Sequence, residues 1–238
     1  MIHSTHLDLD RPIWTALTTE QAHLGRGDAL ARRYDPDVAP FAALASDTPA
    51  AYDALYELLL PGEQVAMLSP DAVNGIGPLQ ANQIGTIHQM VAVRHEAGNL
   101  DELEVIRLGQ VDAKDMLDLA QRTKPGPFGR RTHEMGNYIG IHDQGRLIAM
   151  AGERMRIDGY VEISAVCVDD DWRGRGFAGR LIKLLRKEIE QRGQTPFLHV
   201  FSHNSTAIKL YERLGFELRR AFVLTQISRV GEGSTNDA

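Results

Sequence analysis

The stretch from Glu162 to Gln191 constrains this chain more than any other. A mostly apolar run, Glu162 to Val168, passes through Asp169-Asp170-Asp171-Trp172 into Arg173-Gly174-Arg175-Gly176-Phe177-Ala178-Gly179. Directly after it, Ala178, Leu181, Ile182, Leu185 and Ile189 recur at the spacing of one helical face. The order is strand, glycine loop, amphipathic helix. Glycines at such a junction let a ligand come close to the backbone. The helix N-terminus adds unpaired N–H groups and the positive end of the dipole. Together they form an anion site suited to phosphate. Charge agrees: from Trp172 to Arg192 there are seven basic side chains against two acids, in a chain of net charge -6. The plain alternative is a glycine-rich turn before a solvated basic helix face.

Gly174 to Gly179 also matches G-x-G-x-x-G, the fingerprint of dinucleotide folds. That motif needs a strand directly before it inside a βαβ unit, and an acid at the end of the next strand. Here Asp169 to Arg173 intervene, the next strand ends in Phe201-Ser202-His203, and the preceding strands read as hairpins. The nicotinamide reading therefore fails on context.

Around this centre the second half reads clearly. Leu103 to Leu108 is a short strand. Val111 to Arg122 is a helix, with Val111, Ala113, Met116, Leu117 and Ala120 near one face. Tyr138 to His142 and Arg146 to Met155 are strands joined by Asp143-Gln144-Gly145, a hairpin signal. Tyr160 to Val168 and Phe197 to Phe201 are further strands. Asn204 can cap a helix that ends at Leu214, where Gly215 stops it. Glu217 to Arg229 holds one or two final strands. The first half is weaker: helices over Trp14 to Leu24 and Pro49 to Leu60, strands over Glu63 to Leu68 and Thr86 to Val93, and no chemical motif. The polar segment His95 to Asp101 reads as a linker, giving an N-terminal α/β region over 1–98, a second domain over 99–230 and a polar tail over 231–238. Net charge -6 argues against wholesale nucleic-acid binding. No run of about 18 apolar residues offers a membrane span. Cys167 is the only cysteine, so no internal disulfide forms, which fits a reducing, cytoplasmic setting.

These residues resemble the GNAT superfamily of acetyl-CoA-dependent N-acetyltransferases. Its cofactor signature is Arg or Gln, two residues, Gly, one residue, Gly or Ala, which Arg173, Gly176 and Ala178 fill. A second signature, an Asn followed by an apolar Tyr-containing run ending in Gly-Phe, is matched by Asn204, Ala207, Leu210, Tyr211, Leu214, Gly215 and Phe216. The stretch Glu162 to Phe216 is similar to the branch that includes glycine N-acyltransferase. The resemblance implies an α/β fold with a central mixed, mostly antiparallel sheet flanked by helices, and lets residues 1–98 be read as a degenerate GNAT-like half. It implies acetyl-CoA as co-substrate and no metal. Backbone amides of Arg173, Gly174, Arg175, Gly176, Phe177, Ala178 and Gly179 would bind the pyrophosphate. Val166, Cys167 and Val168 would pair with the pantetheine arm, and Asn204 would contact it from the other side.

Acyl transfer to an amine requires loss of the amine's proton, donors for the oxyanion and an acid for the leaving thiolate. Tyr211 stands where the family often places its acid; the alternative is an ordinary core tyrosine. Glu162 is the candidate base, its pKa raised by partial burial, or else an edge-strand glutamate that is solvated or orients substrate. His199 reads as a satisfied structural histidine; with His203 it forms no metal pair. Cys167 reads as a small buried residue. Lys124, Arg130, Arg131 and His133 mark a basic loop that either holds a carboxylate-bearing acceptor or is solvated. The expected partner is a small-molecule amine, for a monomer or homodimer. A non-catalytic acyl-CoA sensor and a protein or peptide acetyltransferase remain alternatives.

Overall fold

The computed structural model describes residues 7–73, 77–93 and 105–230. The Asn74-Gly75 turn, the start of the strand expected from Leu103, the linker with its boundary at residue 98, and the tail lie outside the described residues. The chain divides into two compact units. One takes Met1–Asp35, Pro40–Ile87 and Ala221–Ala238; the other takes Pro36–Ala39 and His88–Arg220.

The first unit opens with α1 (Leu7–Asp10) and α2 (Pro12–Thr18). The expected helix over Trp14 to Leu24 is thus shifted and shorter. Pro12 occupies the first turn, where its missing N–H costs nothing. At the other end the Thr18 and Thr19 hydroxyls bond back to the carbonyls of Trp14 and Thr15, at 2.8 and 2.6 Å, and compete with helix continuation. A small antiparallel sheet follows: β1 (Gly25–Gly27), β2 (Ala31–Tyr34) and β3 (Ala42–Leu44). Its segments, such as Gly-Arg-Gly and Ala-Arg-Arg-Tyr, are short and carry no alternation that the sequence could announce. α3 (Pro49–Leu58), β4 (Gln64–Ser69) and β5 (Leu79–Ala92) fall close to expectation, except that α3 ends two residues early and β5 starts well before Thr86. Ala51, Tyr52 and Leu55 of α3 pack against Val65, Met67 and Leu79 to form this unit's core.

The second unit carries β6 (Ile106–Leu108), α4 (Ala113–Thr123), β7 (Tyr138–Asp143), β8 (Arg146–Ile157), β9 (Tyr160–Val168), α5 (Phe177–Gln191), β10 (Thr195–Phe201), α6 (Ser205–Arg213) and β11 (Phe216–Arg229), whose last residues belong to the first unit. With the end of β5, from His88 on, its strands run in the order β5-β10-β9-β8-β7-β6, with β6 to β9 antiparallel and β9 parallel to β10. The mixed, mostly antiparallel sheet flanked by helices is as expected. The β7–β8 turn has φ of 48° at Gln144 and 79° at Gly145, the left-handed pair that the strand twist favours in a two-residue hairpin.

Helices cover both faces. On one, Leu181, Ile182, Leu185 and Ile189 of α5 pack on Ile148, Val161, Ile163 and Leu198, with Leu210 and Tyr211 of α6 against the same cluster. On the other, Met116, Leu119 and Ala120 of α4 pack on Tyr138, Met150, Ala165 and Cys167. The expected α4 stripe is corrected here: Val111 is 93% exposed and precedes the helix, in a 3-10 turn, while Leu119 is buried.

Candidate active site

β9 and β10 begin as parallel neighbours, pairing Thr195 with Tyr160, Pro196 with Val161 and Phe197 with Glu162. Registered pairing stops there, although β9 runs on to Val168 and β10 to Phe201. The backbone of Ile163 to Val168 on that side therefore has no strand partner among the described residues, and can accept another extended chain as an added strand. β9 is bent at the same place. Against β8, Met150 pairs with Cys167 and Gly152 with Ser164, so Ala165 and Val166 both oppose Ala151 in a β-bulge. Ala165 takes up the bend with φ of 52°, an uncommon value for a side chain with a Cβ.

At the far end of β9 the chain makes a 3-10 turn, Asp170–Trp172, and enters the glycine loop. Gly174 and Gly176 have φ of 78° and 79°, and a Cβ on either would meet no atom within 4 Å. Backbone conformation demands glycine there, and the space outside is open. Asp169 anchors the loop's start: it is buried and pairs with Arg146 at 2.7 Å and Arg122 at 3.4 Å. Arg173 pairs with Asp170 at 2.7 Å, and the Arg175 guanidinium lies 4.3 Å from the Trp172 ring centroid. Both arginines stay exposed at the loop. Two of the seven basic side chains serve the fold instead. Arg186 is buried, pairs with Glu190 and donates to the Leu214 carbonyl; Arg192 pairs with Glu153.

Val166 and Val168 pack toward α5, and Cys167 toward α4. Burial pushes the Cys167 thiol up to about 11, so it is not a thiolate at neutral pH. Asn204 caps α6 as expected, its side-chain oxygen accepting from the Ala207 N–H at 3.1 Å. One helical stretch later comes Tyr211, half-buried, its ring 6.3 Å from that of Phe216. Burial raises its pKa, so the phenol keeps its proton at neutral pH.

Glu162 departs from expectation. It is fully buried. A second bulge, on β8, sets Arg154 and Met155 opposite this single residue. The Arg154 guanidinium grips the carboxylate at 2.9 and 2.5 Å, the Met155 N–H donates at 3.3 Å, and His199 Nδ1 lies 2.7 Å away. Burial alone would raise this pKa. The Arg154 charge, its hydrogen bonds and His199 overcome burial and hold Glu162 well below the usual carboxylate range. The expected upward shift is therefore reversed.

The chain of contacts extends further. Arg219 donates to Gln89 Oε1 at 2.8 Å, which turns the Gln89 NH2 group towards His199 Nε2, 3.2 Å away. In that orientation Nε2 accepts from Gln89 and Nδ1 donates to Glu162. The reading of His199 as a satisfied histidine is consistent with these contacts. Arg154, Gln89 and Arg219 were missed. An arginine inside the apolar strand Leu147 to Ile157 was a usable signal; Gln89 and Arg219 gave none.

In the basic loop Arg131 makes a two-pronged bond to Glu134, at 2.8 and 2.7 Å, and His133 contacts Gln110 at 2.6 Å. Lys124 forms the left-handed cap of α4. His203 is exposed and stacks on Phe201.

Residues 138–224 match the family model described as FR47-like protein. The crystal structure of a putative acetyltransferase from the GNAT family of Novosphingobium aromaticivorans is 37% identical, over 93% of this chain and 98% of that one, with a TM-score of 0.86. The ribosomal protein bS18 alanine N-acetyltransferase of Escherichia coli is 29% identical over 120 residues, 47% of this chain and 80% of that protein. The mycothiol acetyltransferase of Corynebacterium aurimucosum is 38% identical over 60 residues, 25% of this chain and only 20% of its own length.

Proposed function

Given that the chain belongs to the GNAT family of acetyltransferases, we propose that it transfers an acetyl group from acetyl-CoA to the primary amine of a small molecule. The observation that carries this reading is the end of β9–β10 pairing at Glu162, with the glycine loop at the end of the same strand. An acyl thioester supplies a carbonyl open to attack and a thiolate that can leave. The chain's residues do the rest.

Gly174 and Gly176 hold their backbone in the left-handed region, which gathers N–H groups of Arg173 to Gly179, from the loop and the first turn of α5, into an anion cradle. Arg173 and Arg175 add charge at its rim. The side of Val166, Cys167 and Val168 that faces away from β8 offers backbone groups to an extended arm. Asn204, whose oxygen is committed to the α6 cap, has its NH2 group left to meet that arm. Tyr211, protonated, donates to the leaving sulfur. Glu162 acts by position: its fixed charge holds Arg154 and His199 in place where β10 leaves β9. The amine's proton passes to water rather than to this carboxylate, whose oxygens already accept four contacts. The test is a panel of primary amines incubated with acetyl-CoA, reading free thiol release. Thiol release that no amine accelerates, together with no calorimetric binding of acetyl-CoA, would overturn the reading.

A further inference from the structure

The first unit holds a cavity of about 670 Å³ lined by none of the residues assigned above to acetyl transfer. It is bounded by the start of α2, the end of β3 and the following turn, Tyr52 of α3 and the end of β4. Its volume is within the range of small-molecule sites, about 300–1,000 Å³. Its walls are mainly apolar, built from Ile13, Trp14, Leu44 and Met67. The charged groups that line it are unequal in sign: Asp10, Asp47 and Asp71 against Arg11 alone. That arginine is turned to the wall itself. It donates to the Leu44 carbonyl, and its guanidinium carbon lies 5.4 Å from the Trp14 ring centroid. The aromatic wall therefore already takes a cation against its face. Tyr52, 3% exposed, lines the same cavity as Asp47; burial first, and then the neighbouring Asp47 carboxylate, raise its phenol's pKa, so it keeps its proton there.

We propose that this cavity is a second ligand site, and that it takes an organic amine whose apolar body lies against Trp14, Leu44 and Met67 while its ammonium group meets Asp47. Two features decide the class. The apolar walls need a hydrocarbon or aromatic body, and an anion would face a surplus of carboxylates. An uncharged ligand of the same shape would fill the walls but leave Asp47 without a cation, so affinity must follow ligand charge.

The chain has two tryptophans, and only Trp14 lines the cavity. In a Trp172→Phe variant of the full chain, tryptophan fluorescence reports on this site alone. Titration with 2-phenylethylamine should give a saturable change with a dissociation constant below about 10 mM, as expected for a ligand of this size. The alcohol 2-phenylethanol should bind about tenfold more weakly. Asp47→Asn should weaken the amine about tenfold and leave the alcohol unchanged. Asp47 is exposed, and a melting curve checks that the variant folds; if it does not, Asp47→Ser removes the same charge. An amine that gives no saturable change, or amine and alcohol binding alike, overturns the proposal. Thiol release from acetyl-CoA is scored separately, so failure of either idea leaves the other standing.

Discussion

Replacing Glu162 by Gln tests whether this residue is a fixed charge or a proton acceptor. The native carboxylate accepts from Arg154 twice, from the Met155 N–H and from His199. Glutamine offers one oxygen to these donors, and its NH2 group points a donor at donors. Arg154, with its side chain 11% exposed, loses the charge of Glu162 in a site that water hardly reaches. Breaking a buried ion pair from one side costs about 3–5 kcal/mol. For a chain of this size each kcal/mol moves the melting temperature by about 2–4 °C. The variant should therefore melt about 6–20 °C lower at pH 7. Acid sharpens the test. Glu162's folded pKa lies below its unfolded value, near 4.3. Its contribution is thus present above that value and is lost as pH falls towards the folded one. The gap between wild type and variant should narrow from about pH 5 downward. Melting curves by circular dichroism at pH 7 and near pH 3 measure both points. A gap of under about 2 °C at neutral pH would refute the reasoning, because removing the carboxylate would then leave no uncompensated buried charge behind. So would a pH–rate profile whose acid limb, near pH 6, disappears in the variant. That would return Glu162 to the role of a general base with a raised pKa.

The remaining expectations concern the loop, the acid, the sheet and ionic strength. Gly176→Val forces a branched side chain into φ of 79° and into the cradle, so calorimetry should find no acetyl-CoA binding while the protein stays folded; retained affinity would remove the loop from the site. Tyr211→Phe should leave binding intact and cut turnover by about 10²–10⁴-fold, whereas near-normal turnover would return this residue to the core. Gly152→Ala would place a Cβ 2.2 Å from the buried Tyr138 ring, so urea unfolding should show a loss of about 1–3 kcal/mol; unchanged stability would mean the ring has room to move. Affinity for acetyl-CoA should fall as salt rises if Arg173 and Arg175 meet phosphates, and a salt-independent constant would count against that contact.

What the sequence disclosed and what it hid follow from range. The β7–β8 hairpin, α5, the α6 cap and the glycine loop depend on residues close in the chain. Gln144-Gly145, the Leu181–Ile189 stripe, Asn204 with Ala207, and Gly174 with Gly176 each satisfy a local condition on φ, period or an orphan N–H, and each was legible. α4 shows where local reading fails. Val111 fits the apolar period, yet the helix starts after it at Ala113, and Leu119 takes the buried place instead. Glu162 is the sharper case. A strand pattern says that it lies in an apolar run, and burial then argues for a raised pKa. Whether it ends high or low depends on which residues of β8, β10 and β5 face it. Those are set by a bulge at Arg154–Met155 and by a parallel pairing that stops at Phe197. Neither leaves a mark in the residues near Glu162. A one-residue shift of β8 would send Arg154 to the opposite face and leave the carboxylate with only burial, the raised-pKa outcome. The sign of this pKa is thus a property of register, and the same bulge that hides it from the sequence places a permanent charge where β10 parts from β9.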